Sequence, residues 1–132
     1  MFEDRLKGGA DAAARARSLL GNRLDGELDA SSLHEVLLAT TELVTNAVRH
    51  GGGDAASELT LQMELGEKLR IAVVDPGRTR ESPQVRPLDP RTPGGLGLYI
   101  VEQITESWGV ERGEHGTTVW FEMIPARAPR PA

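Results

Sequence analysis

The segment that decides the fold is Glu42-Leu43-Val44-Thr45-Asn46-Ala47-Val48-Arg49-His50. Upstream of it, Ser32 is followed three residues later by Glu35, a capping-box pattern that predicts the start of a helix at Ser32. Apolar residues then recur at helical spacing, and Gly51-Gly52-Gly53 follows as a stop signal. The sequence therefore predicts one long amphipathic helix whose last turns carry polar side chains.

Two more helices and four strands are predicted around this helix. They are helices over 10–20 and 96–106, and strands over 59–65, 69–74, 107–112 and 117–123. The first helix is alanine-rich and should end near Gly21 or Gly26. The first strand pair alternates apolar and polar residues around a hairpin-length turn at 66–68, so it should be antiparallel. Residues 2–6 offer only a fragment of a further strand.

Together these elements predict an α/β (α+β) two-layer sandwich, in which a mixed, mostly antiparallel sheet is covered on one face by helices. The two tryptophans and their neighbour, Trp108, Trp120 and Phe121, are expected in the core. A single domain should span residues 1–124. Residues 125–132 are rich in Pro, Ala and Arg, and we expect them to form a disordered tail.

Composition excludes several classes of function. The chain has 132 residues and no cysteine, so it has neither a disulfide framework nor a thiolate metal site. Its formal net charge is −5 without any run of Lys and Arg, which disfavours direct binding to nucleic acid. No apolar stretch is long enough for a membrane span, and the first nine residues lack the apolar core of a signal peptide. We therefore expect a cytoplasmic protein that does not bind membranes.

Glu42 and Asn46 are one helical turn apart, so their side chains are neighbours. An Asn amide oxygen is a suitable ligand for Mg²⁺ beside phosphates and water, and a carboxylate next to it could act as a general base. Asn is also an unfavourable residue in the middle of a helix, which favours a functional role for Asn46. The ordinary alternative is a solvated helix face.

The strand that precedes residues 78–93 ends in Asp75-Pro76-Gly77. A carboxylate at that position can accept a hydrogen bond from an exocyclic amine such as that of adenine, and Gly77 would let a flat ring approach the backbone closely. The ordinary alternative is a simple turn, since this tripeptide is common in turns.

A glycine cluster, Gly94-Gly95-Leu96-Gly97-Leu98, leads directly into the third predicted helix. Free backbone N–H groups at a helix N-terminus form an anion site. The cluster is not a P-loop, because no Gly-Lys-Ser/Thr follows, and Ile100 stands where a dinucleotide fingerprint needs its third glycine. The alternative is a flexible helix entry. The proline-rich connection 78–93 before it is typical of a lid, a binding loop or a disordered segment.

In this order and spacing, the three segments resemble the GHKL ATPase superfamily, which includes DNA gyrase and the ATP domains of histidine kinases. The segment from Glu42 to His50 resembles its N box, Asp75-Pro76-Gly77 its G1 box and Gly94 to Leu98 its G2 box. Gly116-Thr117-Thr118-Val119 resembles a further Gly-Thr-Thr segment. The likeness covers about residues 10–124. It is greatest for the small anti-sigma factor serine/threonine kinases of bacteria, of the actinomycete type.

The resemblance implies a Bergerat-type fold that binds ATP and Mg²⁺, with a role for each matching residue. Asn46 would coordinate Mg²⁺, Glu42 would be the base toward a substrate serine, and Asp75 would bind the adenine amino group. The remaining implied contacts are Gly77 and Thr118 with the base, Gly94, Gly95, Leu96, Gly97 and Leu98 with the phosphates, Arg91 with the γ-phosphate, and residues 78–93 as the ATP lid.

The implied activity is that of an anti-sigma factor in transcription regulation, which phosphorylates an anti-sigma factor antagonist of the STAS type and sequesters a sigma factor. A homodimer is implied as well. Thr79 stands where the G1 box usually has its second glycine. This departure favours an alternative, a binding module that responds to ATP without phosphoryl transfer. A third interpretation is a solitary histidine-kinase ATP domain.

Overall fold

The computed structural model describes residues 1–50, 58–76, 97–114 and 116–129, with the backbone alone for His50 and Gly97. Its elements are β1 (Phe2–Lys7), α1 (Ala12–Leu24), α2 (Ala30–His50), β2 (Glu58–Leu65), β3 (Leu69–Asp75), α3 (Gly97–Ile104), β4 (Ser107–Gly113) and β5 (Gly116–Met123). All predicted helices and strands of the described part are present, and the α/β sandwich is confirmed.

The five strands form one sheet in the order β1-β2-β3-β5-β4. Every pairing between the described strands is antiparallel. The strand β1 is complete, although the sequence offered only a fragment of it. Its alternation is hidden in the sequence by four charged residues, Glu3, Asp4, Arg5 and Lys7. Charged residues are common on edge strands such as β1, because they prevent the open edge from pairing with other chains.

The three helices cover one face of the sheet, and alternate strand residues point toward them. Leu69, Ile71 and Val73 of β3 lie in this core, as does the fully buried Phe121. Trp120 differs from the prediction. It lies one residue out of phase with Phe121, on the open face, where the Arg70 guanidinium stacks 4.4 Å from its ring centroid. Trp108 packs at the margin of the core.

The helix α2 begins at Ala30, two residues earlier than predicted. Asp29 caps it, because its Oδ1 accepts a hydrogen bond from the N–H of Ser32 at 2.7 Å. The hydroxyl of Ser32 instead accepts a hydrogen bond from the N–H of Ala126 at 2.8 Å. The capping-box prediction was therefore right about the region and wrong about the capping residue.

The elements run back and forth between two ends of the molecule. At the turn end lie the β2–β3 turn, the start of α2, and the end of α3, where the N–H of Glu106 donates to the carbonyl of Glu122. At the site end lie the end of β3 and the start of β5, since Asp75 pairs with Thr117. The alternation also brings the last turns of α2 and the first turn of α3 to the site end.

Residues 125–129 continue from β5 along the turn end, whereas the sequence predicted a disordered tail from 125 onward. Arg127 forms an antiparallel bridge with Leu28, and the N–H of Ala128 donates to the carbonyl of Glu27 at 3.0 Å. Both partners lie about 100 residues away along the chain, which is why the local composition did not reveal the pairing.

Candidate functional site

The acidic centre of the site end is Asp75, the last residue of β3. It is buried, with 5% of its surface exposed, and its neighbour in the sheet is Thr117 of β5, with 6% exposed. Directly paired residues of antiparallel strands project from the same face, so both side chains point to the helix-covered side. A carboxylate acceptor and a hydroxyl thus lie side by side under the helices.

Gly116 makes this close arrangement possible. Its φ of +124° is a conformation that residues with a side chain rarely adopt. A Cβ on it would lie 2.7 Å from the Cα of Pro76 and would collide with the Asp75 carbonyl. The missing side chain therefore lets β5 start directly against the end of β3, which brings Thr117 beside Asp75.

The predicted base contact Thr118 does not point into this site. It pairs with Val74 on the open face of the sheet, where it lines a shallow cavity of about 240 Å³ with Glu111 and Gly113. The structure places Thr117 beside Asp75 instead. Period-two alternation could have shown this, because Thr117 is in phase with the core residues Val119 and Phe121 and Thr118 is not.

The helix α2 presents Asn46 toward α3. The flank of α2 that faces α1 is marked by Thr41, whose hydroxyl accepts a hydrogen bond from Nη1 of Arg17 on α1 at 3.1 Å. At 100° per residue, Asn46 is rotated about 140° from Thr41, and α2 has α1 on one side and α3 on the other. Asn46 therefore lies on the flank that borders the site.

Asn46 also carries a buried polar atom that the fold leaves unsatisfied. Its Nδ2 has no hydrogen-bond partner among the residues that the structure describes, and such a group costs roughly 1–3 kcal/mol when it is removed from water. A bound phosphate could accept from this amide, while the amide oxygen could bind Mg²⁺. The residues present therefore fit the implied Mg²⁺ and nucleotide.

Glu42 lies one turn before Asn46 and is half-buried. Burial raises the pKa of its carboxyl above the ordinary value, and the positive charge of Arg49 opposes part of that rise. A raised pKa makes a carboxylate a stronger base, which suits a group that takes a proton. The environment of Glu42 is therefore compatible with the predicted role of general base.

The helix α3 begins at Gly97, one residue after the predicted start, and the alternating course of the chain puts this N-terminus at the site end. Leu98 is buried, with 4% exposed, so its side chain belongs to the core and only its backbone could serve a ligand. Gly77, Arg91, Gly94, Gly95, Leu96 and the predicted lid 78–93 lie outside the described residues.

The described residues include no cluster of metal-ligating side chains. Across 1–50, 58–76, 97–114 and 116–129, no group of three or more His, Cys, Asp and Glu side chains could hold a metal ion. None of the helices in these same ranges combines the length and the apolar character that a membrane crossing requires.

Comparison with known proteins gives a matching family and several solved structures of similar fold, two of which are described here. Residues 9–123 match the model of the histidine kinase-like ATPase domain. The chain is similar to the RsbU and RsbW domains of Rv1364c from Mycobacterium tuberculosis, with 22% identity and a TM-score of 0.64, over 98% of this chain and 35% of that one. It is also similar to the histidine kinase domain of the EL346 blue-light activated histidine kinase from Erythrobacter litoralis, with 26% identity and a TM-score of 0.52, over 86% and 59% of the two chains. No curated protein matches it.

Proposed function

This chain belongs to the histidine kinase-like ATPase domain family, and from that premise we propose that it is an ATP-binding regulator that phosphorylates a serine or threonine of an anti-sigma factor antagonist. The GHKL resemblance seen in the sequence is confirmed by the family match. The chain spans 35% and 59% of the two solved structures, so the substrate and the partners remain part of the proposal.

One observation supports the ATP-binding part of the proposal: the Nδ2 of Asn46, to which no described residue is hydrogen-bonded, lies at the same end of the sandwich as the buried pair Asp75 and Thr117. A protein interior normally pairs its buried polar groups. A ligand with an anionic group would satisfy the Asn46 amide, and ATP has one; its adenine also offers an amine that a carboxylate such as that of Asp75 can accept from.

The proposed reaction assigns a task to each residue. Asp75 accepts a hydrogen bond from the adenine amino group, and Thr117 lies beside it. Asn46 would hold Mg²⁺, which supplies charge neutralisation of the phosphates when bound. Glu42 takes the proton from the substrate hydroxyl as that oxygen bonds to the γ-phosphorus, the bond between the β,γ-bridging oxygen and the γ-phosphorus breaks, and ADP leaves. Positioning and charge stabilisation supply most of the catalysis.

Calorimetric titration with ATP tests the binding part. We expect saturable binding that is tighter with Mg²⁺ than with EDTA, because Mg²⁺ carried by the phosphates would take the amide oxygen of Asn46 as a further ligand. Titration with GTP is the matched control, since its base offers a carbonyl where adenine offers the amine. Equal affinity for the two nucleotides would contradict the role of Asp75.

Incubation with Mg-ATP and a STAS-type antagonist tests the kinase part. Phosphoserine or phosphothreonine on the antagonist is the expected product, and Glu42→Gln should abolish it while leaving ATP binding intact. A second candidate is the ATP-responsive binding module, which Thr79 in the G1 segment favours. It predicts ATP-dependent partner affinity without a phosphoprotein, and unchanged partner regulation in Glu42→Gln.

The family and the second solved structure also motivate the weaker histidine-kinase interpretation. It predicts an acid-labile phosphohistidine on a partner protein. Acid treatment of the labelled product separates the two chemistries, because phosphoserine survives it.

The homodimer and the sigma factor contact stay proposals from the resemblance. Size-exclusion chromatography with light scattering measures the first, and co-purification with a candidate sigma factor measures the second.

A further inference from the structure

The segment 125–129, which we call the strap, crosses the N-terminus of α2. The N–H of Ala126 donates to the hydroxyl of Ser32 at 2.8 Å. The carbonyl of Ala126 accepts from the N–H of Asp29 at 2.9 Å. Both backbone polar groups of one strap residue are therefore bound to the residues that begin α2, and Asp29 is also the cap of that helix.

The next strap residue connects the same place to the sheet. Nη2 of Arg127 donates to the carbonyl of Gly66 in the β2–β3 turn at 2.7 Å. Its Nη1 lies 3.8 Å from Oε2 of Glu27 in the α1–α2 connection. The strap thus joins the helical layer to the sheet layer at the turn end.

The helix α2 links this place to the candidate site. It runs without interruption over 21 residues, which at 1.5 Å per residue is a length of about 30 Å. Its start is held by the strap, and its second half carries Glu42 and Asn46. Since a packed helix moves as a stiff element, its position at one end constrains its position at the other.

We propose that the strap sets the position of α2 on the sheet, so that release of the strap weakens nucleotide binding at Asn46, a residue that the strap does not contact. The nucleotide part of this inference rests on the proposed function. Coupling between two sites is reciprocal, so bound nucleotide should in turn hold the strap more tightly.

Two variants that release the strap and one control test the coupling in the intact chain. Arg127→Ala removes the tie to the sheet, and Ser32→Ala removes the acceptor of the Ala126 N–H. Arg23→Ala is the control, because Arg23 stacks on the Phe2 ring at 4.2 Å, and among the described residues it has no hydrogen bond to the strap or α2. We expect about fivefold weaker Mg-ATP binding for Arg127→Ala and for Ser32→Ala, the lower end of the usual range of coupling, and no change for the control.

Amide hydrogen exchange in the nucleotide-free protein supplies a readout that does not depend on ATP. Release of the strap should speed exchange in the site half of α2, over 42–49, and leave β3 and β5 unchanged, whereas general destabilisation would affect all of them. In the wild type, Mg-ATP should slow exchange of the Ala126 and Ala128 amides.

The outcomes separate the two proposals. If wild type binds no ATP but the strap variants still speed exchange over 42–49, the proposed function fails and the mechanical coupling stands. If both strap variants remain folded by circular dichroism and change neither affinity nor exchange in α2, the coupling is overturned.

Discussion

The polar groups at the two ends of the sandwich differ in whether they have hydrogen-bond partners. At the turn end, the cap of α2, the hydroxyl of Ser32 and the backbone of Ala126 all find partners. Toward the site end, α2 carries at Asn46 an amide without a partner in the described part of the chain, and at Glu42 a half-buried carboxyl with a raised pKa. The start of the helix is thus stabilised by its partners, whereas its last turns keep polar groups whose burial costs free energy, a pattern that is expected at functional sites.

The largest predicted effect follows from Gly116, because the site end depends on its missing side chain. Gly116→Ala combines a collision with Asp75 and Pro76 with an unfavourable positive φ. We expect a loss of about 3 kcal/mol or more in the free energy of unfolding, measured by urea denaturation. Gly113→Ala is the control in the same hairpin, since a Cβ there meets no atom within 4 Å. Equal losses for both variants would refute the close approach.

The second prediction concerns the carboxylate itself. Asp75→Asn keeps the shape of the side chain but replaces an acceptor by a donor opposite the adenine amine. A mismatched buried group costs roughly 1–3 kcal/mol, so ATP affinity should fall about ten- to a hundredfold by calorimetry. Lys68→Ala, in the turn at the opposite end, should bind ATP like wild type. If Asp75→Asn bound ATP with unchanged affinity, Asp75 would not contact adenine, and the base pocket would not lie at the end of β3.

Sequence reasoning predicted those parts of the fold that local patterns determine. Alternation and the turn at 66–68 gave the β2–β3 hairpin, and apolar periodicity gave α2. It missed what depends on distant residues. Ser32 matched a capping pattern, but its hydroxyl binds Ala126, which is 94 residues away. Likewise, the composition of the strap resembles that of a disordered tail, and its partners lie far away along the chain, in the α1–α2 connection, in the first turn of α2 and in the β2–β3 turn.

The candidate site was predictable to a similar degree. The order and spacing of the motifs singled out Asp75 and Asn46, although each alone has an ordinary alternative, a turn for Asp75 and a solvated helix face for Asn46. The choice between Thr117 and Thr118 needed the phase of β5, and the pattern of buried residues in that strand gives it. The orphaned Nδ2 of Asn46 could not be predicted, since it depends on what packs around the helix.

The third prediction separates binding from stability on α2, where Thr40 Oγ1 and Asn46 Nδ2 are both buried and find no partner within 1–50, 58–76, 97–114 and 116–129. Thr40→Val and Asn46→Leu should each raise the free energy of unfolding by about 1 kcal/mol, because each removes an unsatisfied polar group. Only Asn46→Leu should also abolish Mg-dependent ATP binding. A loss of stability in Asn46→Leu would show that the amide is satisfied in solution.

The fourth prediction tests the phase of β5. Thr117→Val removes the hydroxyl beside Asp75 and should weaken ATP binding about fivefold, the effect of one hydrogen bond worth about 1 kcal/mol. Thr118→Val, on the open face, is the matched control and should leave the affinity unchanged. The reverse result would restore Thr118 as the residue that lines the base pocket.

The smallest predicted effect is the pH dependence that comes from Glu42. Its pKa in the fold is raised above the ordinary value of 4.5, so the folded state binds the proton more tightly than the unfolded state. The resulting stabilisation is complete below pH 4.5 and is lost as the pH rises through the raised pKa.

The variant Glu42→Gln tests this pH dependence, because its side chain cannot ionise. Relative to wild type it should therefore gain stability between acid and neutral pH, by less than about 1 kcal/mol because the group is only half-buried. Urea unfolding at a series of pH values measures the difference, with the exposed Glu102→Gln as control. If the stability of Glu42→Gln relative to wild type instead increased toward acidic pH, the attraction of Arg49 would outweigh burial in setting the pKa of Glu42. The charged carboxylate would then stabilise the last turns of α2, as the cap stabilises its first turn.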